Sequence, residues 1–316
     1  MAIDGIYESL ITRAIKEKLD GLELDYYINK QPVENAEAAK YLSGFLSLII
    51  NRSIESLPNS DDRLQKQIEL SNSLINWLSV YLNDNDITED LIDSQGQMLM
   101  ALFSKKNPAS ANFNEYLEKI TPKTGLTQSE LFTGSNQGLS LDSELKREIL
   151  SSDEICWIVS FVKWTGIRIF TDTLKDAVNR GVKIRIITTS YMGATDQKAV
   201  DFLSRLPNTE VRLSYNTDRD RLHAKAYLFI RNNGFDTGYI GSSNLSHAAL
   251  TNGLEWNLKI TTQEIPHIIE KFKSTFETYW QSKDFEPYDA DQSDHHVRLK
   301  KALDLEGRGQ GQAEIS

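Results

Sequence analysis

The amino-acid sequence predicts an α/β fold, a sandwich in which helices flank a central mixed β-sheet, preceded by an all-helical N-terminal region. From residue 139 onward, apolar runs of strand length such as 155–162 and 183–189 alternate with helical patterns. This alternation is typical of a mixed, largely parallel sheet. Before residue 104, apolar residues recur instead at helical spacing. The two patterns predict a helical region followed by an α/β domain.

Composition divides the chain into four segments. Residues 1–103 form the helical N-terminal region, and residues 104–138, interrupted by prolines and glycines, form a linker that contains a short helix. Residues 139–286 form the α/β domain. Residues 287–316 are polar and then rich in glycine and glutamine. We expect them to be a flexible tail or a linker to a further region that is missing from this chain.

Each element follows from its apolar pattern and its flanking turn residues. In the N-terminal region the predicted helices cover 7–19, 36–57 and 61–82, with a fourth at 89–103. In the domain the predicted helices are 141–151, 167–180, 196–204, 246–252 and 264–281. The predicted strands are 155–162, 183–189, 210–215, 222–230 and 237–240, the last two forming a hairpin around Asn232-Asn233-Gly234.

The composition is that of a soluble globular protein, with 40% hydrophobic and 25% charged residues. Cys156 is the single cysteine, so no intramolecular disulfide and no cysteine cluster for zinc can form. Its apolar neighbours predict a small buried side chain. The N-terminus lacks the pattern of a signal peptide, and no apolar run reaches membrane-spanning length. We therefore expect a cytoplasmic protein.

Charge is distributed unevenly along the chain. The net charge is −10, yet residues 160–231 contain thirteen Lys and Arg against seven Asp and Glu. A local excess of positive charge is what a polyanion-binding surface requires. The alternative is that these side chains only solvate the ends of strands. The charge pattern alone leaves both interpretations open.

His223 and Lys225 stand two apart in the apolar, β-prone run 222–230. Strand alternation would place both on one face with Tyr227, and the aliphatic residues on the other face. A half-buried strand seldom carries an imidazole and an ammonium group together on one face. The pair therefore predicts a chemical site.

A turn of small residues follows the next predicted strand. Gly241-Ser242-Ser243-Asn244 leaves that strand and opens a helix, a connection whose backbone N–H groups can bind phosphate. Glu255 comes eleven residues after Asn244. Hairpin pairing would bring imidazole, ammonium, hydroxyl, amide and carboxylate groups together. This combination predicts phosphoryl chemistry.

These residues resemble a known signature. His223-x-Lys225, followed by Gly241-Ser242-x-Asn244 and Glu255, resembles the signature of the phospholipase D superfamily. Residues 139–281 look most like the phospholipase-D-like, nuclease-type region at the N-terminus of certain large bacterial DEAD/DEAH-box helicases. Residues 1–103 are similar to the region that precedes it there. The resemblance implies a phospholipase-D-like sandwich, in a chain that stops about where the helicase would begin.

The resemblance also implies a reaction, a metal-independent and cofactor-free phosphodiester cleavage of nucleic acid, with DNA expected. His223 would attack phosphorus and form a phosphohistidine. Glu255 would accept a hydrogen bond from its other ring nitrogen. Lys225 and Asn244 would stabilise the phosphate oxygens, with Ser242 assisting.

Further phosphate contacts are expected around this centre. Gly241 and Ser243 belong to the turn itself, and Lys163 lies at the predicted end of another strand. Arg221 and its neighbour Arg219 precede the strand that begins at residue 222, where each could contact a flanking phosphate or remain an ordinary exposed charge.

One position departs from the family pattern. The longer signature of the superfamily has an acidic residue five positions after the lysine, and Ile230 stands there in this chain. In the family that residue is chiefly structural. The departure bears on how active the site is.

The chain has five histidines and no second His-x-Lys pair. A second imidazole is needed to protonate the leaving oxygen. We therefore expect a homodimer in which a second copy supplies it across a two-fold axis, with the active site at the interface. The alternative function is a catalytically silent module of a helicase that binds nucleic acid and dimerises. A lipid-cleaving enzyme is less favoured, because no amphipathic membrane-binding face is visible.

Overall fold

The computed structural model describes residues 5–22, 24–104, 112–134, 139–216, 221–251 and 253–313, and only the backbone of residues 307–313. The chain divides into two compact units, 1–102 and 103–316. None of the described helices is long and apolar enough to cross a membrane.

The N-terminal unit is helical, as predicted. Helix α1 is Arg13–Asp20, α2 is Asn35–Glu55 and α3 is Arg63–Leu82, followed by a 3₁₀ helix at Asp86–Asp90. Helix α1 begins later than predicted because Thr12 caps it, accepting a hydrogen bond from the backbone N–H of Ile15. The predicted fourth helix is wrong, since residues 91–102 are described and contain no helix.

The second unit contains the α/β domain. Its helices are α4 Phe113–Ile120, α5 Leu141–Ser151, α6 Trp164–Ile167, α7 Thr171–Asn179, α8 Gln197–Ser204, α9 His247–Thr251, α10 Pro266–Gln281 and α11 Ser293–Ala313. Its strands are β1 Glu130–Phe132, β2 Glu154–Val159, β3 Lys183–Thr189, β4 Thr209–Ser214, β5 Lys225–Ile230, β6 Thr237–Gly241, β7 Asn257–Thr261 and β8 Glu286–Tyr288.

The eight strands form one mixed sheet in the order β1-β7-β6-β5-β2-β3-β4-β8. The predicted mixed sheet flanked by helices is confirmed, but the expectation that it is largely parallel is wrong. Only β2, β3 and β4 pair in parallel, and the other neighbours are antiparallel. The strands after β4 enter the sheet in the opposite direction to their neighbours: β5 pairs antiparallel with β2, and the β5–β6 hairpin turns at Gly234, whose φ is 81°.

Three further expectations need correction. The predicted linker contains β1, which pairs with β7 and buries Phe132. The predicted flexible tail contains β8, which pairs with β4, and α11, which buries Leu299 completely. The helix predicted at 167–180 is α7, which begins only at Thr171 because the short helix α6 ends at Ile167 and the chain turns between the two.

Apolar clusters cover both faces of the sheet. Tyr227 and Phe229 pack in the larger cluster with α5, α7 and α8, while Ala226 and Leu228 pack under α10 with Cys156. Alternation from Lys225 to Phe229 is therefore as predicted, but the expected cationic face is wrong. Strand β5 begins at Lys225, so His223 lies before it, and Tyr227 belongs to the core. Burial raises the pKa of Cys156 to about 12, in keeping with a buried thiol.

A buried ionic network joins α5 to the strands that carry the site. Glu148 pairs with Arg231, and its Oε1 lies 3.1 Å from Lys259 Nζ on β7. The hydroxyl of Tyr239 on β6 donates to the same Oε1 at 2.7 Å. Glu144 Oε1 lies 3.6 Å from Lys259 Nζ. Two carboxylates and two cations thus balance in a region without solvent, and they hold β6 and β7 against the helix layer.

Candidate active site

The sheet brings the ends of several strands to a single edge. Val159 at the end of β2 lies opposite Lys225 at the start of β5. On the other side of β5, Ala226 lies opposite Ile240 of β6, and Gly241 is the next residue along β6. Gly241 in turn lies opposite Asn257 at the start of β7. The residues predicted to carry the chemistry are therefore neighbours across adjacent strands, which lie about 4.8 Å apart.

His223 and Lys225 lie where the chain enters this edge. His223 precedes β5 and is exposed, and Lys225 begins the strand and is partly buried. The ammonium of Lys225 donates a hydrogen bond of 2.9 Å to the backbone carbonyl of His223. Partial burial lowers the pKa of Lys225 below its ordinary 10.5, while the negative charge of Glu255 opposes that change. The cation is thus held beside the histidine and within the field of the carboxylate.

Gly241 must be a glycine for a steric reason. A Cβ at this position would lie 2.1 Å from the carbonyl oxygen of Trp256 and 2.5 Å from Oδ1 of Asn257. The space is needed by the Asn257 carboxamide, which accepts the N–H of Ser243 at 3.4 Å and donates to its Oγ at 2.8 Å. Asn257 therefore fixes the shape of the turn.

Ser243 has a structural role that differs from the predicted one. Its side chain is fully buried, and its Oγ donates to the carbonyl of Ala249 at 3.1 Å. Its own carbonyl accepts a hydrogen bond of 2.7 Å from the Tyr227 hydroxyl. Because its polar groups are occupied by the protein, the prediction that Ser243 contacts phosphate is not supported by this geometry.

Ser242 is exposed and tied to the neighbouring strand. Its N–H donates to the carbonyl of Trp256 at 3.0 Å, and its Oγ accepts the N–H of Trp256 at 3.1 Å. The N–H groups of Ser242 and Ser243 thus point into the protein. The predicted backbone cradle for phosphate is wrong for these two groups, and what the turn presents is the Ser242 hydroxyl and the Asn244 side chain.

Asn244 is buried, and its carboxamide is held in one orientation. Its Oδ1 accepts the backbone N–H of Phe161, just after β2, at 3.3 Å. The chain beyond it is fixed to the same segment, because Leu245 bridges to Val162 and accepts the N–H of Lys163 at 2.8 Å. With Oδ1 engaged, the NH₂ group is the part of this side chain that can bind an anion.

Glu255 is close enough to Lys225 for its negative charge to act on that ammonium. Its charge acts on Lys225 and also, together with burial, raises the pKa of Tyr227. It lines a cavity of about 120 Å³ with Leu250 and Asn257. Among the described residues, none donates or accepts a hydrogen bond at the His223 ring, so the predicted bond between Glu255 and His223 is not formed in this structure.

Gly134 positions Glu255 in a way that sequence reasoning missed. It follows β1 at φ +67°, and a Cβ there would lie 2.0 Å from the carbonyl of Gly253 and 2.9 Å from the backbone nitrogen of Glu255. The predicted linker thus supplies a close backbone contact behind the carboxylate. The only signal in the sequence is the glycine itself, which indicates an irregular linker and not a contact with Glu255.

The outer cations lie at the same edge. Lys163 is half-exposed and its Nζ lies 3.2 Å from Oδ1 of Asp196, so its charge is locally balanced. Arg221 is exposed, and its guanidinium donates to the Tyr191 hydroxyl at 3.2 Å while stacking over that ring. Arg219 lies outside the described residues. Arg221 and Tyr191 therefore form one surface beside His223. Within the described part of the chain, no group of three or more metal-ligating side chains lies together.

One comparison with known proteins matches part of the second unit. Residues 145–280, less than half of the chain, match the family model described as "Cardiolipin synthase, PLD-like domain". This segment holds every predicted site residue and lies within the second unit, which contains the observed sheet. A search of curated protein sequences finds no match.

Several solved structures are similar to this chain. NucT from Helicobacter pylori is 21% identical with a TM-score of 0.39, over 49% of this chain and 96% of that one. Nuc from Salmonella typhimurium, described as a phospholipase D family member, is 20% identical with a TM-score of 0.40, over 51% and 99%.

Proposed function

We propose that this domain is a metal-independent phosphodiesterase that cleaves nucleic acid, with DNA as its substrate, through a phosphohistidine at His223. The observation that carries the proposal is the convergence of four groups at one edge of the sheet. The Lys225 ammonium bonds to the backbone of His223, and the charge of Glu255 acts on that ammonium. The Asn244 carboxamide is held by the backbone N–H of Phe161, just after the neighbouring strand β2.

The proposed reaction has two displacements. A ring nitrogen of His223 attacks phosphorus, a P–N bond forms, and the P–O bond to the leaving strand breaks while a second imidazole protonates the leaving oxygen. Water then attacks the phosphohistidine, with the second imidazole accepting its proton, and His223 is regenerated. Lys225 and the NH₂ group of Asn244 stabilise the charge on the phosphate oxygens in both steps.

Glu255 would support the charge that develops on His223. In the attacking step the imidazole becomes positive, and a nearby carboxylate stabilises that form. A rotation of the exposed His223 ring would bring its second nitrogen toward Glu255. The proposal therefore includes formation of this hydrogen bond when substrate binds.

A polyanionic substrate fits the charge near the site. The excess of positive charge in residues 160–231 includes Arg221, which is exposed beside His223. Its stacking on Tyr191 gives a cationic and aromatic surface of the kind that binds phosphates and bases. We propose that the strand flanking the scissile phosphate lies across this pair.

The setting of the activity is also proposed. With one His-x-Lys pair per chain, the second imidazole comes from a second copy, so the active enzyme is a homodimer. The resemblance of the sequence to helicase-associated domains supports a cytoplasmic helicase-nuclease as the complete protein. This part of the proposal depends on the sequence alone.

Two observations favour the alternative of a silent nucleic-acid-binding module. The His223 ring has no orienting hydrogen bond from the described residues, and Ile230 packs against the apolar cluster under α10 where the superfamily signature has an acid. The buried carboxylate at that end of β5 is Asp236, which accepts the N–H of Arg231 at 2.7 Å and pairs with Lys273.

The decisive assay is cleavage of labelled single- and double-stranded DNA in the presence of EDTA. We expect cleavage by the native chain and its loss in His223→Ala. His267→Ala, which removes an exposed imidazole on α10, is the matched control and should cleave normally. Cleavage that persists in His223→Ala would exclude the proposed nucleophile. Salt-sensitive DNA binding without product, unchanged in His223→Ala, would establish the silent module instead.

A further inference from the structure

Helix α3 has two faces that differ in how they are covered. One face is packed within the N-terminal unit, where Ile68 is buried and the Ser79 hydroxyl donates to the carbonyl of Asp84 at 2.7 Å. On the same side, Asn72 exchanges two hydrogen bonds of 2.9 Å with the backbone of Ile92. The segment that follows α3 thus covers this face and leaves the opposite one open.

The opposite face of α3 is apolar, and its C-terminal part is exposed. Leu70, Leu74, Trp77, Leu78 and Tyr81 recur at i, i+4, i+7, i+8 and i+11, which places them in one row. Trp77 is 60% exposed and Tyr81 is 73% exposed, and their rings stack at 5.1 Å. We call this row the α3 face. No charged residue occurs between 70 and 83.

Helix α2 presents a second surface of the same kind. Leu42, Phe45, Leu46 and Ile49 recur at i, i+3, i+4 and i+7, and we call this row the α2 face. Leu42 is 50% and Leu46 is 56% exposed, and none of the helix's 21 residues is buried. Residues 41–51 carry no charge. Of the described residues up to 102, only Ile68 and Ser79 are buried.

Such surfaces require a partner. A helix in water is stabilised mainly by packing its apolar face, and an exposed apolar patch of this extent marks an interaction site. Five half-exposed large side chains on the two faces, with the residues beside them, offer on the order of 800 Å² per chain. That is about the area that each partner buries in a standard interface.

We propose that the α2 and α3 faces bind the same faces of a second copy of this chain, so that residues 1–102 are its dimerisation unit. Identical apolar faces are self-complementary about a two-fold axis, and homodimer interfaces are apolar in this way. A membrane surface is a poorer partner, because α2 carries only Lys40 and Arg52 against Glu37 and Glu55.

The inference extends the proposed function, on which its meaning for the active site depends. Joining two chains through their N-terminal units places two phospholipase-D-like domains at high effective concentration. A weak contact between the domains then suffices to bring a second His223 to the site. The association itself requires no catalytic residue.

Sedimentation equilibrium of the full chain tests the proposal, because it measures mass without reference to activity. The native chain should be a dimer of twice 35.9 kDa. The double variant Leu46→Glu, Tyr81→Glu should raise the dimer dissociation constant at least about 100-fold. Ser47→Glu with Asn76→Glu adds the same charge at exposed positions outside the two faces and should leave the dimer intact. Circular dichroism should show equal helix content in all three, since the substituted positions are exposed.

Two results would overturn the proposal. One is a native chain that stays monomeric at about 100 µM. The other is a Leu46→Glu, Tyr81→Glu chain that dimerises as tightly as the control. His223→Ala should remain a dimer. A dimer that fails to cleave DNA would contradict the proposed function alone. A Leu46→Glu, Tyr81→Glu chain that both dimerises and cleaves DNA as the control does would contradict this inference alone.

Discussion

Substitution of Glu148 by glutamine should destabilise the α/β domain by about 3 kcal/mol at neutral pH. Glu148 is fully buried, and the change leaves Arg231 and Lys259 without their shared counter-charge. Removing one partner of a buried ion pair costs roughly 3–5 kcal/mol, because an unpaired charge remains in the interior.

The pH dependence gives a second route to the same magnitude. Burial alone would raise the pKa of Glu148, but Arg231 and Lys259 outweigh it and lower that pKa from 4.5 to about 2. A carboxyl group whose pKa is lower in the folded than in the unfolded chain stabilises the fold at pH values above its unfolded-state pKa. This stabilisation is lost as the pH falls through the folded-state pKa. A difference of about 2.5 pKa units corresponds to ~3 kcal/mol. The loss should therefore fall between pH 4.5 and about 2.

Urea titration followed by tryptophan fluorescence measures this effect, with Trp157 as the buried reporter of the domain. Native chain and Glu148→Gln should differ most at neutral pH and converge toward pH 2. Glu270→Gln is the control, because Glu270 is 65% exposed and pairs with Lys273 only at the surface, where such a pair contributes at most ~1 kcal/mol. A cost below 1 kcal/mol for Glu148→Gln, or a difference that does not change with pH, would refute the reasoning.

Three further predictions concern the site. Lys225→Met should lower kcat for DNA cleavage by about 10²–10³, the effect of losing one preorganised charge stabiliser, and single-turnover kinetics would detect it; a change confined to KM would contradict this role. Because partial burial lowers the pKa of Lys225, cleavage should decline on the alkaline side below pH 10.5, and any residual activity of Lys225→Arg should lack that decline. Gly241→Ala should destabilise the domain by about 1–3 kcal/mol in urea titration, because the new Cβ meets the Trp256 carbonyl. Gly44→Ala, in open space on α2, should instead stabilise by up to ~1 kcal/mol, and equal effects of the two would contradict the steric argument.

Sequence patterns locate an element well where its whole length carries the signal. Helix α5 and strand β3 have the predicted bounds, since each has a full apolar pattern between turn residues. Strands β1 and β8 have three residues each, too few for a period to show. Helix α11 was assigned to a flexible tail because its glycines and glutamines outweigh an apolar row whose buried member is Leu299.

The site residues also differ in how well the sequence predicts their roles. His223, Lys225, Asn244 and Glu255 have uncommon chemistry at a specific spacing, so the sequence indicates them directly. Asn257 has no such signal, because its role depends on lying opposite Gly241 on the neighbouring strand. The role of Ser243 is not predictable from sequence, because a serine in a small-residue turn gives the same sequence pattern whether its hydroxyl faces solvent or the protein interior. In this structure it faces the interior. Local sequence does not determine which way a turn faces.

The central claim is covalent catalysis by His223, and acid-avoiding mass spectrometry of the chain quenched during DNA cleavage tests it most directly. We predict a phosphohistidine or a DNA-phosphate adduct on the peptide that contains His223, formed with EDTA present and absent from His223→Ala. The adduct should decay at a rate consistent with turnover. Cleavage without any adduct on His223, or an adduct on another histidine, would contradict the account.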